Sequence, residues 1–327
     1  MPLSTNEETN KVAQATVSQL QAVFGKHSGY RPAHAKGALL TGTFTPTDEA
    51  KTLSKAPHFN NSSTPIAARF SSSTGLPQLP DTDPNGDPRG FAVRFLFGER
   101  KHTDIIAHST PFFPVNNGAD FLAFFQAVAA GSVPDFLGSH PAALAFVQAP
   151  KPTPKSFATE AYFAVNAFKL VSADGKETYI RYKIMPDSGV ETYAAEELKD
   201  KSPDFLHEEI RERLKSGTSS FSLLAQIAEA GDPTNDATIH WPEERKQVKL
   251  GTITIDRVVE DSAELQRTLI FDPVPRIDGV EASDDPLVDF RASVYLTSGR
   301  ERRAAGGYHP EKLPKLSAVP EGAKIAT

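Results

Sequence analysis

Asp285-Pro-Leu-Val-Asp-Phe-Arg-Ala-Ser-Val-Tyr295 is the stretch from which the rest of the chain is best read. Leu287, Phe290, Arg291, Val294 and Tyr295 recur at the spacing of one helix face. The apolar members and the tyrosine belong on a buried stripe, and Arg291 does not, because a guanidinium is almost never fully buried without a partner. The nearest candidate is the Tyr295 oxygen, since residues four apart on a helix are neighbours. The same stretch also reads as an ordinary core tyrosine beside an arginine that snorkels to water. For these residues taken alone the plainer reading stands.

The surrounding chain limits what such a pair can serve. Its 327 residues are enough to bury a cavity in one large domain or two ordinary ones. A hydrophobic content of 39% with 23% charged residues is that of a globular protein in water. A net charge of −6 argues against a nucleic-acid surface, which needs a clustered basic footprint. No apolar run reaches membrane-spanning length, so no membrane partner is expected. The absence of cysteine excludes disulfides, thiolate metal sites and a thiol nucleophile. The start, Met-Pro-Leu-Ser-Thr-Asn, lacks a signal peptide's apolar region, and the final Lys-Ile-Ala-Thr is no peroxisomal address, so the expected location is cytoplasmic.

Residues 11–24 read as an amphipathic helix stopped by Gly25. Four β-branched or aromatic runs follow, at 37–45, 66–71, 90–97 and 103–109, separated by Gly, Pro, Asp and Ser clusters. A helix is expected over 119–130. After a proline-rich stretch at 149–155, strands are expected at 168–172 and 177–184 around the Asp174-Gly175 turn. Helical patterns cover about 194–199 and 204–215, and strands return at 248–258 and 265–271. Two groups of about four strands, with helices, predict an α+β fold: a closed or strongly curved antiparallel sheet forming one domain over 1–327.

Other residues could carry chemistry. Tyrosine is one of the few axial ligands known for haem iron, and a neighbouring cation favours the charged form of a phenol. His34, in Arg31-Pro32-Ala33-His34-Ala35-Lys36-Gly37, stands at a strand entrance, where a histidine is either a bystander or a proton carrier. Arg69 and Ser71 alternate along a strand and so share one face. Arg31, Arg69, Arg300 and Arg302 suit a doubly anionic ligand, or equally are surface charges. The remaining histidines lack metal-ligand spacing.

Taken in order, the motifs become specific. Arg-x-x-His-Ala-Lys-Gly (31–37), Ala-Arg-Phe-Ser (68–71), Asp-Pro-Arg-Gly-Phe-Ala-Val-Arg-Phe (87–95) and Arg-x-x-x-Tyr (291–295) resemble the haem catalase superfamily. The resemblance continues through Thr110-Pro111-Phe112-Phe113, His240-Trp241-Pro242, Gly251-Thr252-Ile253, Phe271-Asp272-Pro273 and Gly279-Val280-Glu281, covering about residues 28–303. The N-terminal helix and a short tail, 304–327, flank this core. The chain is short for a full catalase, without the long amino-terminal arm or carboxy-terminal domain. It is similar to the small catalase-related peroxidases, or mini-catalases.

The resemblance implies a β-barrel with surrounding helices and haem b (iron protoporphyrin IX) buried between barrel and proximal helix. It implies Tyr295 as the iron ligand, Arg291 as the arginine that keeps it ionised, His34 as distal histidine and Ser71 as the serine orienting it. Ala33 stands where the family usually has a valine over the porphyrin, Phe121 matches the distal phenylalanine, and Arg31, Arg69 and Arg302 match the propionate-binding arginines. Large catalases place Asn-Asn before Thr-Pro, where this chain has His108 and Ser109. On this reading the second position, Ser109, meets the peroxide; strand alternation says that one of the two faces inward, not which. The implied activity is haem-dependent reduction of hydrogen peroxide or an organic hydroperoxide with oxidation of a small organic donor, dismutation being weakened, in a monomer or homodimer. Rival readings are a catalase-fold enzyme that rearranges lipid hydroperoxides and a non-enzymatic haem-binding protein.

Overall fold

The computed structural model describes residues 2–98 and 101–306. The tail expected after the core thus lies largely outside the described residues. Eight antiparallel strands close into a barrel: β1 (Gly37–Pro46), β2 (Thr64–Ser71), β3 (Gly90–Leu96), β4 (His102–His108), β5 (Tyr162–Val171), β6 (Glu177–Pro186), β7 (Ser219–Ile227) and β8 (Gln247–Val258). Each pairs with its successor in sequence, β8 returns to β1, and a single partnership, His108 with Phe163, joins β4 to β5. A short strand, β9 (Val280–Ala282), pairs with β5 through Phe168–Leu170.

Alternation along the strands divides the molecule in two. Inward side chains, among them Phe44, Phe70, Phe91, Tyr162 and Phe221, fill the barrel and exclude water. Their neighbours Arg69, Ser71, Ala92 and His108 point to the outer face, where a helical layer covers them. That layer combines α1 (Glu7–Phe24), α4 (Gly118–Ala130) and α9 (Pro286–Ala304), which pack against one another. The shorter helices α2 (Asp48–Leu53), α3 (Pro57–Asn60), α5 (Val133–Ser139), α6 (Pro141–Gln148), α7 (Phe205–Ser216) and α8 (Ala263–Thr268) complete the α-helices of the described residues.

Two expectations for the strands need correction. The run 265–271, expected as a strand, is the end of α8 and the loop after it. Glu264, Leu265, Gln266 and Arg267 are helix formers, and Leu265 and Leu269, four residues apart, bury one face against Leu39 and Phe271. The barrel strand that the sequence reading lacks is β7, Ser-Ser-Phe-Ser-Leu-Leu-Ala-Gln-Ile. Its serines and alanine mask a strict alternation in which Phe221, Leu223 and Ala225 are fully buried.

The Arg–Tyr stretch forms α9 as its sequence dictates. Asp285 Oδ1 accepts from the Leu287 backbone N–H at 2.9 Å as N-cap, and Pro286 occupies the first turn, where its missing N–H costs nothing. Ser4 and Asn10 tie the amino-terminal segment to α9, the Ser4 N–H donating to Ser293 Oγ at 3.1 Å and Ser293 Oγ donating to Asn10 Oδ1 at 2.8 Å.

Candidate active site

A cavity lies between the outer face of β2–β5 and α9, roofed by Leu20 of α1 and Phe121 of α4. Its walls are largely apolar, and its polar groups gather in three places.

On the α9 wall, an Arg291 Nη donates to Tyr295 Oη at 3.2 Å, the one-turn pairing expected from the spacing. The other Nη donates to Asn166 Oδ1, and Asn166 Nδ2 in turn donates to Asp285 Oδ2 at 2.7 Å. Asn166 and Asp285 are buried, so the arginine is oriented by a chain that ends in the helix cap itself. Burial pushes the Asp285 carboxyl above its ordinary range, against the pull of the Asn166 bond. Sequence reasoning missed Asn166. The available signal was a polar residue inside the apolar run Ala164-Val-Asn-Ala-Phe168, at the point where the β5–β6 register shifts.

On the barrel wall, register places Ser71 opposite Gly90, and Gly90 opposite His108, so the three sit in one row on one face. His34 reaches over this row, its Nδ1 3.0 Å from Ser71 Oγ. Its backbone adopts φ +58°, a left-handed conformation that costs a non-glycine residue energy, and is held by His34 N–H to Ser73 O (2.9 Å) and Ala35 N–H to Thr74 O (2.9 Å). Gly90 is needed beneath the ring: a Cβ there would stand 2.6 Å from Ser71 Oγ and 2.9 Å from His34 Nδ1. Burial, and then the charges of Arg69, Arg31 and Arg291, push the His34 imidazole down to about 3, so it is neutral at any ordinary pH.

The row also settles which of His108 and Ser109 faces the cavity. Sharing a face with Ser71, His108 lines it, whereas Ser109 does not. Ser109, expected to meet the peroxide, is placed off the cavity by strand alternation. Its Oγ accepts from the Arg89 backbone N–H at 3.0 Å.

At the end of the cavity stand Arg31, Arg69 and Arg302. Arg31 donates to the carbonyls of Gln266 and Leu269 (2.9 and 3.0 Å). Arg69 donates to Gln266 Oε1 and Ala35 O (2.9 and 3.1 Å), and Arg302 to Ser298 Oγ and Leu269 O (2.7 and 2.9 Å). Among the described residues none of the three has a carboxylate partner. Arg69 and Arg302 are buried, and desolvation, with the charges of nearby arginines, lowers both well below the usual guanidinium range. Buried cations without anions are costly, and an anionic ligand would offset that cost. Arg300, also considered for that task, is exposed and outside the cavity. Ala33 and Phe121 both line the cavity, Phe121 stacked on Phe113 at 5.6 Å.

These features fit one group. Apolar walls suit a flat macrocycle, three unpaired arginines suit its carboxylates, and a phenol oxygen beside a guanidinium suits a hard metal ion. Among the described residues no cluster of three His, Asp or Glu offers an alternative metal site, and no helix is long and apolar enough to cross a membrane.

A packed antiparallel barrel with a cavity on its outer wall, closed by a helix carrying Arg-x-x-x-Tyr, agrees with what the resemblance to catalases implies. The fold superposes on catalase A from Saccharomyces cerevisiae with a TM-score of 0.77 at 23% identity, over 85% of this chain and 62% of that one. A fungal catalase gives 0.76, again at 23% identity and over 60% of its length, so the chain spans about three fifths of these longer proteins. The chain belongs to the catalase family, whose model matches residues 17–315. It is 33% identical over 294 residues to a catalase-related peroxidase of Mycolicibacterium paratuberculosis, covering 88% of this chain and 93% of the relative. A catalase-related peroxidase of Synechococcus elongatus is 30% identical over 306 residues, covering 90% and 89%.

Proposed function

We propose that the protein is a haem b peroxidase, one domain that reduces hydrogen peroxide or a small organic hydroperoxide and oxidises an organic donor, with weak release of oxygen. That it is an oxidoreductase acting on peroxide follows from its family and from the catalase-related peroxidases it resembles. The finer reading rests above all on His34, a neutral imidazole in a strained backbone conformation, set on Ser71 over a glycine that leaves it room. A haem carrier has no use for that arrangement.

In this reading Tyr295 Oη holds the iron, with Arg291 donating to the same oxygen. Arg31, Arg69 and Arg302 hold the two propionates by charge-assisted hydrogen bonds. Bound haem would supply the electrons that cleave the peroxide O–O bond. The chain's part is proton transfer and exclusion of water. With Nδ1 occupied by Ser71, His34 Nε2 would take the proton from one peroxide oxygen and return it to the other, which leaves as water or, from an organic hydroperoxide, as the alcohol. His34 is unprotonated when peroxide arrives, as a general base must be. Leu20, Phe113 and Phe121 keep the site dry.

The test is purified haem-loaded protein offered hydrogen peroxide, an alkyl hydroperoxide and a chromogenic donor. Donor oxidation exceeding oxygen release is expected. Product isomerisation without a donor would mean lipid hydroperoxide rearrangement, and inertness a carrier. His34→Ala should retain haem and react with peroxide about 10²–10⁴-fold more slowly; a loss under tenfold would remove His34 as the proton carrier.

A further inference from the structure

His108, at the end of β4, presents a second imidazole to the cavity, and a backbone hydrogen bond decides its tautomer. The Thr110 N–H donates to His108 Nδ1 at 3.2 Å. A backbone N–H can only donate, so Nδ1 carries the lone pair and the proton of a neutral ring sits on Nε2. The ring is neutral: burial, with the charges of Arg291 and His34, pushes it down to about 3. Nε2 is itself buried and has no hydrogen-bond partner among the described residues. A buried N–H without an acceptor is costly, and the acceptor it lacks is one that a ligand in the cavity can supply.

We propose that His108 donates Nε2–H to an oxygen of the bound peroxide, as the specificity-determining counterpart of His34. This rests on the peroxidase reading of the cavity. The two histidines then serve unlike tasks: His34, set on Ser71 at Nδ1, acts in the proposed reaction as the base, while His108, pinned at Nδ1 by Thr110, offers a proton that it does not give up. A hydroperoxide R–O–O–H is the complement, with one O–H to donate and lone pairs to accept. The β2–β3–β4 row fixes the spacing, since Ser71 under His34 and the Cα of His108 are separated by Gly90 alone. Ligands that accept hydrogen bonds are held by this arrangement, and apolar ones gain nothing from it.

Fluoride, an acceptor with no proton to give, probes the donor apart from turnover. In the ferric haem protein, absorbance titration should show fluoride binding about tenfold weaker for His108→Leu, a hydrogen bond's net worth of up to about 1.4 kcal/mol. His108→Gln, whose amide keeps an N–H, should stay within about threefold of wild type. Equal affinity in wild type and the leucine variant, or a glutamine variant as weak as leucine, overturns the proposal. Should the variants lose haem, the wild-type ferrous carbon monoxide form, which is diamagnetic, can be read by long-range proton–nitrogen NMR with labelled histidine. A proton on His108 Nε2 is expected, and a proton on Nδ1 refutes the assignment. If wild type neither oxidises donors nor releases oxygen while the fluoride order holds, the peroxidase reading fails and the donor assignment stands.

Discussion

Gly90→Ala is the sharpest perturbation that the site allows, because it adds one methyl group at a point where the geometry fixes the consequence. The new Cβ would stand 2.6 Å from Ser71 Oγ and 2.9 Å from His34 Nδ1, where ordinary contact begins at 3.4 Å. Ser71 Oγ must therefore retreat by about 0.8 Å or rotate away, and neither movement preserves its 3.0 Å approach to His34. Overpacking of this kind costs about 1–3 kcal/mol of stability. Misplacement of a catalytic group by about 1 Å can cost about 10²-fold in rate. Gly90 is not part of the α9 wall or the arginine cluster, so the haem binding proposed for Tyr295 should persist. The expected variant folds, keeps haem in full stoichiometry and reacts with hydrogen peroxide about 10–10²-fold more slowly in stopped-flow mixing. A rate within threefold of wild type, with haem retained, would refute the claim that His34 works from the position Ser71 sets.

The remaining predictions concern the other walls and the barrel core. Tyr295→Phe should lose haem or its ferric tyrosinate absorbance, and an unchanged spectrum would place the iron ligand elsewhere. Asn166→Ala leaves Arg291 and buried Asp285 without their shared partner. Hydrogen bonds to charged groups are worth about 1.5–3 kcal/mol, so denaturant unfolding should show a loss of about 2–4 kcal/mol; a loss under 1 kcal/mol would mean the chain does not hold Arg291. His58, packed against Phe59 and Phe95 inside the barrel, is pushed by burial down to about 3 from an unfolded value of 6.5. Its folded pKa is depressed, so below 6.5 the unfolded state takes up a proton that the folded state refuses, and stability falls with pH. His58→Leu should therefore gain on wild type by about 1.4 kcal/mol per pH unit between about pH 6 and 4, and show no such slope above pH 7. A flat difference across both ranges would mean that His58 is charged or solvated in the fold.

The fold was legible where burial enforces strict periodicity and obscure where composition imitates another element. β1–β4 are short, β-branched or aromatic, and bounded by Gly, Pro and Asp, so their positions follow from pattern alone. β7 escaped because its serines and Ala225 carry little strand preference, although Phe221, Leu223 and Ala225 keep the period. The segment 265–271 deceived in the opposite sense: apolar residues four apart bury the face of a short helix, and so brief a run cannot be told from a strand by counting. The number of barrel strands in the second group, four, came out as expected only because one omission offset one false strand.

For the site, sequence supplies the residue types and register supplies their directions. The Arg291–Tyr295 bond is local, one helical turn, and is readable without any tertiary information. The choice between His108 and Ser109 is not local. It depends on Ser71, Gly90 and His108 falling in one row across three strands, and a shift of one residue would have turned Ser109 inward instead. Asn166 is further removed, since its value lies in joining a helix cap to an arginine more than a hundred residues away in sequence. The arginines are the extreme case. Read singly, Arg31, Arg69 and Arg302 are three ordinary charges. Folding removes Arg69 and Arg302 from water and half-buries Arg31, hands each to backbone carbonyls and brings no carboxylate to any of them among the described residues. A cost of that kind persists only where something offsets it, which makes the unpaired cluster an argument for a dianionic cofactor that stands independently of Tyr295. If the cluster serves the cofactor, replacing Arg69 with methionine should weaken haem retention while raising, or leaving unchanged, the thermal stability of the haem-free chain. A methionine variant that is less stable without haem and no poorer at holding it would show that Arg69 serves the fold instead.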